Sequence, residues 1–408
     1  MRFHPFSSLL PAPGLAAEVA APPYDVVNRE EARKLALDNP ASFLHVGRSD
    51  IDLPNDVDAY DPRVYTGARD ALRRLEREGI LRRDSSPGIY LYRLIMNGRS
   101  QTGVVGCVHI DDYENDVIKK HERTRPDKED DRTRHVLTLK ANAEPVFLTF
   151  HDTRQLREQT QADIGAEPLF DFESSDGVRH TGWRVPRSEA YVAAFGDVSA
   201  AYVADGHHRC ASAWRAGREL RAANPGDSGT EEYNWFLAVL FPKSELGILP
   251  YNRVVRDLAG LKGPEFLTRL AQVATVTPNG TATPPRSGTF CLYLDRQWSL
   301  VEFDPRSIDL NDPLASLDAS LIQDRVLGPI LSIGDPRTDR RIDFVGGIRG
   351  TAELERRVDS GEMAAGFSLY PTTMDQLLRV ADAGLMMPPK STWFEPKLKS
   401  GLFVHTID

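Results

Sequence analysis

Asp205-Gly206-His207-His208-Arg209 is the most concentrated group of chemically active residues in the sequence. An apolar, β-prone run precedes it at 201–203, and a helix-prone run follows it at 211–216. This pattern predicts a strand, a tight turn at the glycine and a helix. The first N–H groups of a helix have no internal acceptor and lie at the positive end of its dipole, so the turn predicts a phosphate site. The structural alternative is that Asp205 only caps the helix.

A second group of charged residues lies upstream, between Lys119 and Arg134. Its second half, 128–134, fits a solvent-exposed helix face with salt bridges. Its first half contains Thr124 and Pro126, which interrupt helical character and place charges in a loop. Loops with clustered Arg and His residues commonly bind anions. The segment 122–127 therefore predicts a second part of a binding site.

Together the two groups predict phosphoryl-transfer chemistry, which needs cations around the phosphate, a carboxylate that holds the metal, and a base near the accepting hydroxyl. Asp205 could hold Mg²⁺, which prefers oxygen ligands, and Glu122 could accept the hydroxyl proton. No GxxxxGK[ST] loop is present. The candidate catalytic residues are Glu122, Asp205 and His208. The candidate residues for binding ATP or ADP are Gly206, His207, His208, Arg209, Arg123, Thr124 and Arg125.

Other catalytic chemistries have less support in the sequence. His207 and His208 are adjacent, so their side chains would point in different directions on a regular element, and HExxH is absent; the sequence does not favour a zinc hydrolase. No GxSxG motif supports a serine nucleophile. Cys210 is interpreted as a small buried core residue rather than a reactive thiol. The Lys390-Ser391-Thr392 triplet lies with Trp393 and Lys397 in a Pro-rich loop, which is either an anion-binding or closing loop or a packed C-terminal anchor.

The elements around these residues predict a mixed α/β protein. The 408 residues are enough for two or three domains. We expect an N-terminal section at 1–105, a core with the Asp-Gly-His-His-Arg motif at 106–245, and a C-terminal section at 246–408. Strands near 105 and 245 could pair across these soft boundaries.

Composition narrows the class of protein. The net charge of −9 argues against a general nucleic-acid binder, and no apolar run is long enough for a transmembrane helix. Three widely spaced cysteines suggest neither a disulfide framework nor a zinc motif, so we expect a reducing, cytoplasmic location. The expected partners are a nucleotide and a small-molecule substrate, and the sequence makes no prediction of oligomeric state.

Four distinctive stretches are spread from end to end of the chain. They are Ala21-Pro22-Pro23-Tyr24-Asp25-Val26-Val27, the segment from Ile118 to Asp127, Asp205-Gly206-His207-His208-Arg209, and the segment from Met387 to Phe394. Together they resemble a bacterial family catalogued as domain of unknown function 1015. The resemblance names a family without naming an activity.

The Asp205–Arg209 turn also resembles the signature turn of the ParB/sulfiredoxin superfamily, whose free serine kinases have a similar Asp-Gly-His-His-Arg. This resemblance implies a ParB/sulfiredoxin-like core at 106–245 and a glutamate in an earlier loop that acts as base on serine; by order along the chain, Glu122 matches. His207 occupies the sulfiredoxin cysteine position, so sulfinic-acid reduction is not expected. Without an evident helix-turn-helix, neither is a chromosome-segregation role.

The sequence thus favours a nucleotide-dependent phosphotransferase that acts on a small hydroxyl metabolite, with free L-serine as the favoured acceptor. Two alternatives remain open. The same pocket could release phosphate from phosphoserine, or the protein could be a nucleotide-binding regulator without turnover.

Overall fold

The computed structural model describes all 408 residues, which form two compact units. The first contains residues 1–246 and 396–408, and the second contains residues 247–395. The mixed α/β class predicted from the sequence is confirmed. No helix has both the length and the apolar character needed to cross a bilayer.

The strands are numbered in chain order. They are β1 (Phe3–His4), β2 (Leu9–Pro11), β3 (Leu81–Arg83), β4 (Tyr90–Met96), β5 (Arg99–His109), β6 (Ile118–Lys119), β7 (Ala141–Asn142), β8 (Val146–Phe150), β9 (Phe170–Glu173), β10 (Arg179–Arg184), β11 (Ala201–Asp205), β12 (Trp235–Pro242), β13 (Ile248–Leu249), β14 (Tyr251–Val255), β15 (Thr275–Pro278), β16 (Thr289–Leu294), β17 (Gln297–Glu302), β18 (Ile342–Gly346), β19 (Ala365–Leu369), β20 (Trp393–Phe394) and β21 (His405–Thr406).

The α-helices are α1 (Ala16–Val19), α2 (Arg29–Leu35), α3 (Leu44–Gly47), α4 (Pro62–Arg77), α5 (Ile110–Glu114), α6 (Pro126–Leu139), α7 (Arg154–Asp163), α8 (Ser188–Gly196), α9 (His207–Ala223), α10 (Gly263–Leu270), α11 (Asp318–Ile322), α12 (Ala352–Asp359) and α13 (Met374–Asp382). Short 3₁₀ turns cover Ser49–Asp52, Glu232–Asn234, Lys243–Glu245, Pro305–Ser307 and Gly347–Arg349, and a π-helical turn, Gln323–Leu327, follows α11.

A nine-stranded mixed sheet organises the first unit. Its order is β6-β11-β8-β12-β5-β4-β10-β9, and β1 pairs with β5 outside this path. Two pairs are parallel, β6 with β11 and β8 with β12. Strand β12 is almost wholly buried, which explains its continuous apolar run 236–241. Its neighbours β5 and β8 are also covered, so the centre of the sheet is a rigid support for the residues at its edges.

The division of the chain differs from the three sections expected from the sequence. The boundary expected at 105 falls inside β5, which pairs with β4 over seven residues from Arg99 to Val105. Because β5 also pairs with β12, the first two expected sections share one sheet. The first segment of the first unit ends at Leu246, and residues 396–408 return to this unit, where β21 pairs with β7.

The second unit is built on a six-stranded antiparallel sheet with order β15-β17-β16-β19-β14-β18. Its core includes Phe266, Phe290 and Phe367, all at most 1% exposed. The sequence predicts one helix over 320–330 here. The structure instead has α11 followed by the π-helical turn, in which Gly328 N–H bonds to the Gln323 carbonyl.

Several local sequence patterns have the structure that they predict. Asn28 followed three residues later by Glu31 is the pattern of a capping box, and Asn97-Gly98 is that of a hairpin turn. Asn28 and Glu31 form the capping box at the start of α2. Asn97 and Gly98 both have positive φ and connect β4 to β5 as a tight hairpin turn. Most importantly, the strand, turn and helix expected around the Asp205–Arg209 motif are β11, Gly206 and α9.

Candidate functional site

The turn between β11 and α9 depends on the backbone freedom of glycine. Gly206 has a φ of 94°, in the left-handed region that L-residues rarely adopt. A Cβ at this position would lie 2.9 Å from Nε of Arg209. The Cys210 N–H bonds to the Gly206 carbonyl at 2.9 Å. The preceding N–H groups of this 17-residue helix are those that an α-helix leaves without internal acceptors, and they can receive an anion.

Strand pairing brings two other segments to this turn. Strand β6 runs parallel to β11, so the residues after β6, including His121 and Glu122, lie at the same sheet edge as Gly206. Strand β8 runs antiparallel to β11, and Phe147 pairs with Asp205. The residues just before β8, Glu144 and Pro145, therefore also lie at this edge. Carboxyl ends of strands are the usual location of binding sites in α/β sheets.

Asp205 accepts hydrogen bonds on both carboxylate oxygens. Its Oδ1 accepts the Gly206 N–H at 3.0 Å, and its Oδ2 lies 3.3 Å from Lys397 Nζ and 3.5 Å from Arg209 Nη2. Burial acts to raise the pKa of Asp205, but the positive charges of Lys397 and Arg209 outweigh it and hold this pKa below its usual range. The carboxylate is therefore charged at neutral pH, and two cations lie beside the turn.

Arg209 is buried and fixed from two sides. It is 8% exposed, contacts Asp205 and donates from Nη1 to the Pro145 carbonyl. Burial acts to lower the pKa of Arg209, but the surrounding carboxylates outweigh it and raise this pKa. Arg209 is thus a permanent positive charge inside the site.

His208 connects α9 to the upstream loop. Its Nε2 accepts the Arg125 backbone N–H at 3.1 Å, which fixes a tautomer with the proton on Nδ1 when the ring is neutral. Burial lowers its pKa, and the negative charges of Glu122 and Asp25 oppose that shift. His208 therefore holds the loop in place as a neutral imidazole at neutral pH.

Glu122 lies next to the motif. Its Oε2 is 3.8 Å from Nδ1 of His207, and its side chain is 43% exposed. The structure thus brings together the candidate base and the candidate phosphate site, which are far apart in the sequence. A carboxylate that is open to solvent beside a helix start can accept a proton from a small substrate bound there.

His121 and His207 are packed edge to face, with ring centroids 4.5 Å apart and an interplanar angle of 90°. They are 1% and 6% exposed. Both ring nitrogens of His121, and Nε2 of His207, are buried without a hydrogen-bond partner. Burial lowers the pKa of His207 to about 3, and it holds that of His121 well below its ordinary value, with the nearby His207 acting in the same direction. Both imidazoles are therefore neutral at neutral pH.

The loop residues Arg123, Thr124 and Arg125 are more peripheral. Arg123 is exposed, and the Arg125 side chain is 69% exposed and pairs with Asp127 at 2.8 Å. The Thr124 hydroxyl donates to Glu129 on α6. The two arginines are available at the mouth of the site rather than inside it.

Cys210, in contrast, is fully buried, and burial raises its pKa to about 12, as the core interpretation predicts.

Sequence reasoning missed three residues of this site, which are Tyr24, Arg132 and Glu144, and it did not place Lys397 beside Asp205. The Tyr24 N–H donates to Glu144 Oε1 at 3.3 Å, and the Arg132 guanidinium lies 4.3 Å from the centre of the Tyr24 ring. Burial raises the pKa of Glu144 to about 7, although Arg209 and Arg132 oppose the shift. The Pro23-Tyr24-Asp25 stretch, which the family resemblance had marked, was the available signal.

Comparisons with solved structures give distant likenesses. A free serine kinase in complex with AMP is 12% identical, with 73% of this chain and 91% of that chain covered and a TM-score of 0.35. SbnI with a C-terminal truncation, from Staphylococcus aureus, is 11% identical, with coverages of 74% and 87% and a TM-score of 0.39. A conserved hypothetical protein from Pyrococcus furiosus is 12% identical, with coverages of 74% and 95% and a TM-score of 0.35.

The sequence itself settles the family. No curated protein matches it. A family model described as protein of unknown function (DUF1015) matches residues 3–320, which include three of the four stretches that indicated this family. The chain therefore belongs to the DUF1015 family.

Proposed function

We propose that this protein is a nucleotide-dependent phosphotransferase that acts on a small hydroxyl metabolite in the cytoplasm, with free L-serine as the favoured acceptor. The observation that supports it most is the position of Glu122, whose carboxylate lies 3.8 Å from His207 at the start of α9. A proton acceptor thus lies beside the helix N-terminus that is the candidate phosphate site. The acceptor L-serine comes from the resemblance of the Asp205–Arg209 motif to that of free serine kinases.

In this proposal the nucleotide phosphates bind at the Gly206–Arg209 turn. The free N–H groups of α9 and the Arg209 charge favour phosphate there, with Arg123, Thr124 and Arg125 at the mouth and His207 and His208 shaping the turn. Glu122 accepts the hydroxyl proton as the hydroxyl oxygen attacks the terminal phosphorus. The P–O bond to the rest of the nucleotide then breaks, and that oxygen leaves with its electron pair.

Mg²⁺ is part of the proposal, and Asp205 is its proposed ligand. The carboxylate is charged, and its side chain is 28% exposed, so it suits a hard cation. Its Oδ2 is shared with Lys397 and Arg209, so a bound cation would take the place of the lysine contact. Mg²⁺ would neutralise phosphate charge at this edge of the turn.

The test is a product assay with ATP and with ADP across hydroxyl amino acids, together with nucleotide binding by calorimetry. We expect phosphorylated product with L-serine. Absence of product with every acceptor, together with absence of nucleotide binding, would contradict the proposal. Phosphate release from phosphoserine without nucleotide would instead indicate a phosphatase. Tight nucleotide binding without turnover would indicate a regulator.

Glu122→Gln is the sharpest variant for this test. It removes the proton acceptor but keeps the size of a partly exposed side chain, so we expect turnover to fall by about 10²–10⁴-fold while nucleotide affinity changes little. Asp130→Asn is the matched control, because Asp130 is an exposed carboxylate on α6 that pairs with Arg215. Turnover that survives Glu122→Gln would exclude Glu122 as the base.

A further inference from the structure

We propose that His121, Glu122 and His207 bind one divalent transition-metal ion of the Zn²⁺ type. One ligand atom from each side chain lies within 4.8 Å of the others, in a cluster of two imidazoles and one carboxylate. This inference concerns metal binding alone and does not depend on phosphoryl transfer; with the ion bound, Glu122 is a ligand, so its role as base belongs to the protein without this ion. It also differs from the Mg²⁺ role proposed for Asp205, because it uses nitrogen donors.

The distances between the three ligand atoms are somewhat longer than those around a bound metal ion, and small side-chain movements would shorten them. Bonds of about 2.0–2.2 Å to nitrogen and oxygen place tetrahedral ligand atoms about 3.3–3.5 Å apart. His207 Nδ1 and Glu122 Oε2 are 3.8 Å apart, which exceeds this by about 0.3–0.5 Å. The other separations lie within 4.8 Å and exceed it by at most about 1.5 Å. Glu122 is partly exposed and lies in a loop, so rotation of its side chain can close the remaining gap.

The histidines themselves indicate a missing partner. Buried polar atoms almost always have a hydrogen-bond partner, and leaving them without one costs free energy. His121 has none on either ring nitrogen, and His207 has none on Nε2. Two other buried histidines of this unit differ: His135 Nε2 contacts the Val46 carbonyl and His180 Nδ1 contacts the Tyr92 hydroxyl. His405 also has an unpartnered Nδ1, but its Nε2 contacts Glu232 at 2.7 Å. On His121 a metal would use a lone pair that the protein leaves unoccupied, and on His207 it would bind Nδ1, which faces Glu122 at 3.8 Å, rather than the unpartnered Nε2.

The donor set selects the kind of ion. Imidazole suits Zn²⁺, Co²⁺ and their neighbours, whereas Mg²⁺ prefers carboxylate, phosphate and water oxygens. Two histidines and one glutamate leave at least one position open on such an ion, as in catalytic zinc sites. The ligands come from two chain segments, which the parallel pairing of β6 with β11 brings to one edge of the sheet.

The test is titration of the full-length, metal-stripped protein with Co²⁺, followed by its visible d–d absorption. We expect one Co²⁺ per chain, displaced by Zn²⁺ but not by excess Mg²⁺. No stoichiometric absorption band would overturn the proposal. A band that Mg²⁺ abolishes would also overturn it, because it would place the ion on oxygen ligands.

Three variants locate the ion. His121→Ala should weaken Co²⁺ binding by at least about 100-fold, since loss of an outer-shell partner alone costs about 10–100-fold. Glu122→Gln should also weaken it, and its partly exposed position protects folding if the buried His121→Ala variant unfolds. His151→Ala is the control, because His151 is exposed after β8. Unchanged affinity in Glu122→Gln and in a folded His121→Ala would place the ion elsewhere and overturn the proposal.

The same measurements separate this inference from the proposed function. Co²⁺ binding that depends on His121, in a protein without phosphotransferase activity, would support the metal site and contradict the function. Product formation by a protein that binds no Co²⁺ would do the reverse.

Discussion

Gly206 determines the shape of the site at the scale of single residues. Its φ of 94° turns the chain from β11 into α9, and the absence of a side chain leaves room for the Arg209 guanidinium. Glycine is therefore required at this position for two separate reasons, the backbone conformation and the packing of Arg209, and the effect of each on stability can be measured.

An L-residue in the left-handed region costs about 1–2 kcal/mol. Gly206→Ala should lower the free energy of unfolding by more than this, because the new Cβ would also lie 2.9 Å from Arg209 Nε. Gly177→Ala is the control, since Gly177 has a φ of 76° but no atom within 4 Å of the added Cβ. Urea denaturation of both variants gives the comparison. Equal losses would show that Arg209 moves aside without cost.

Glu144 makes stability depend on pH. Burial raises its pKa from 4.5 to about 7, so the folded protein keeps this proton through a range in which the unfolded chain has released it. The stability associated with the proton is therefore full below about pH 4.5 and is lost as pH rises towards 7.

We expect wild-type stability, relative to Glu144→Gln, to fall between pH 4.5 and 7 by up to about 1.4 kcal/mol per pH unit. Urea unfolding at several pH values measures this difference. Glu158→Gln, at an exposed position on α7, should show none. A difference that stays flat across this range would mean that the nearby arginines keep Glu144 ionised.

At the scale of elements, the site depends on how strands are aligned. Parallel pairing of β6 with β11 places Glu122 at the turn, and antiparallel pairing of β8 with β11 places Glu144 there. The centre of this sheet is closely packed: Gly106 on β5 lies directly under the Phe3 ring of β1.

Gly106→Ala should destabilise the protein by about 1–3 kcal/mol, because the added methyl would lie 2.3 Å from the Phe3 ring and force β1 away from β5. Thermal unfolding measures the effect. Gly196→Ala at the end of α8 meets no atom within 4 Å and should be nearly neutral. A neutral Gly106→Ala would show that β1 does not depend on this contact.

At the scale of the molecule, the first unit is completed by residues 396–408, which are distant in sequence. Lys397 contacts Asp205, and Phe403 is 1% exposed among Tyr90, Tyr92 and Phe170. The end of the chain thus contributes both to the core and to the candidate site.

Phe403→Ala should lower the free energy of unfolding by about 3–5 kcal/mol, the usual cost of removing a buried phenyl ring. Deletion of the exposed Asp408 should change it by less than about 0.5 kcal/mol. Chemical denaturation followed by circular dichroism distinguishes the two. A small effect of Phe403→Ala would indicate that the aromatic cluster collapses into the space.

Local features could be predicted from the sequence because neighbouring residues determine them. The turn at Gly206, the capping box at Asn28 and the hairpin at Asn97-Gly98 each follow from residue types within a few positions. The mixed α/β class and the family followed from patterns of the same kind, spread along the chain. Residue 105 lies inside β5, which joins the β4–β5 hairpin to β12 in one sheet, and the pairing of β5 with β12 connects residues that are far apart in sequence.

The Asp205–Arg209 motif was visible in the sequence, but its surroundings were decided by tertiary structure. His121 meets His207, Glu144 lies near Tyr24, and Lys397 contacts Asp205. These groups are far apart in sequence, and no local spacing relates them. The direction of β6 and β8 relative to β11 brings His121 and Glu144 to the turn, since parallel and antiparallel pairing determine which strand ends share an edge.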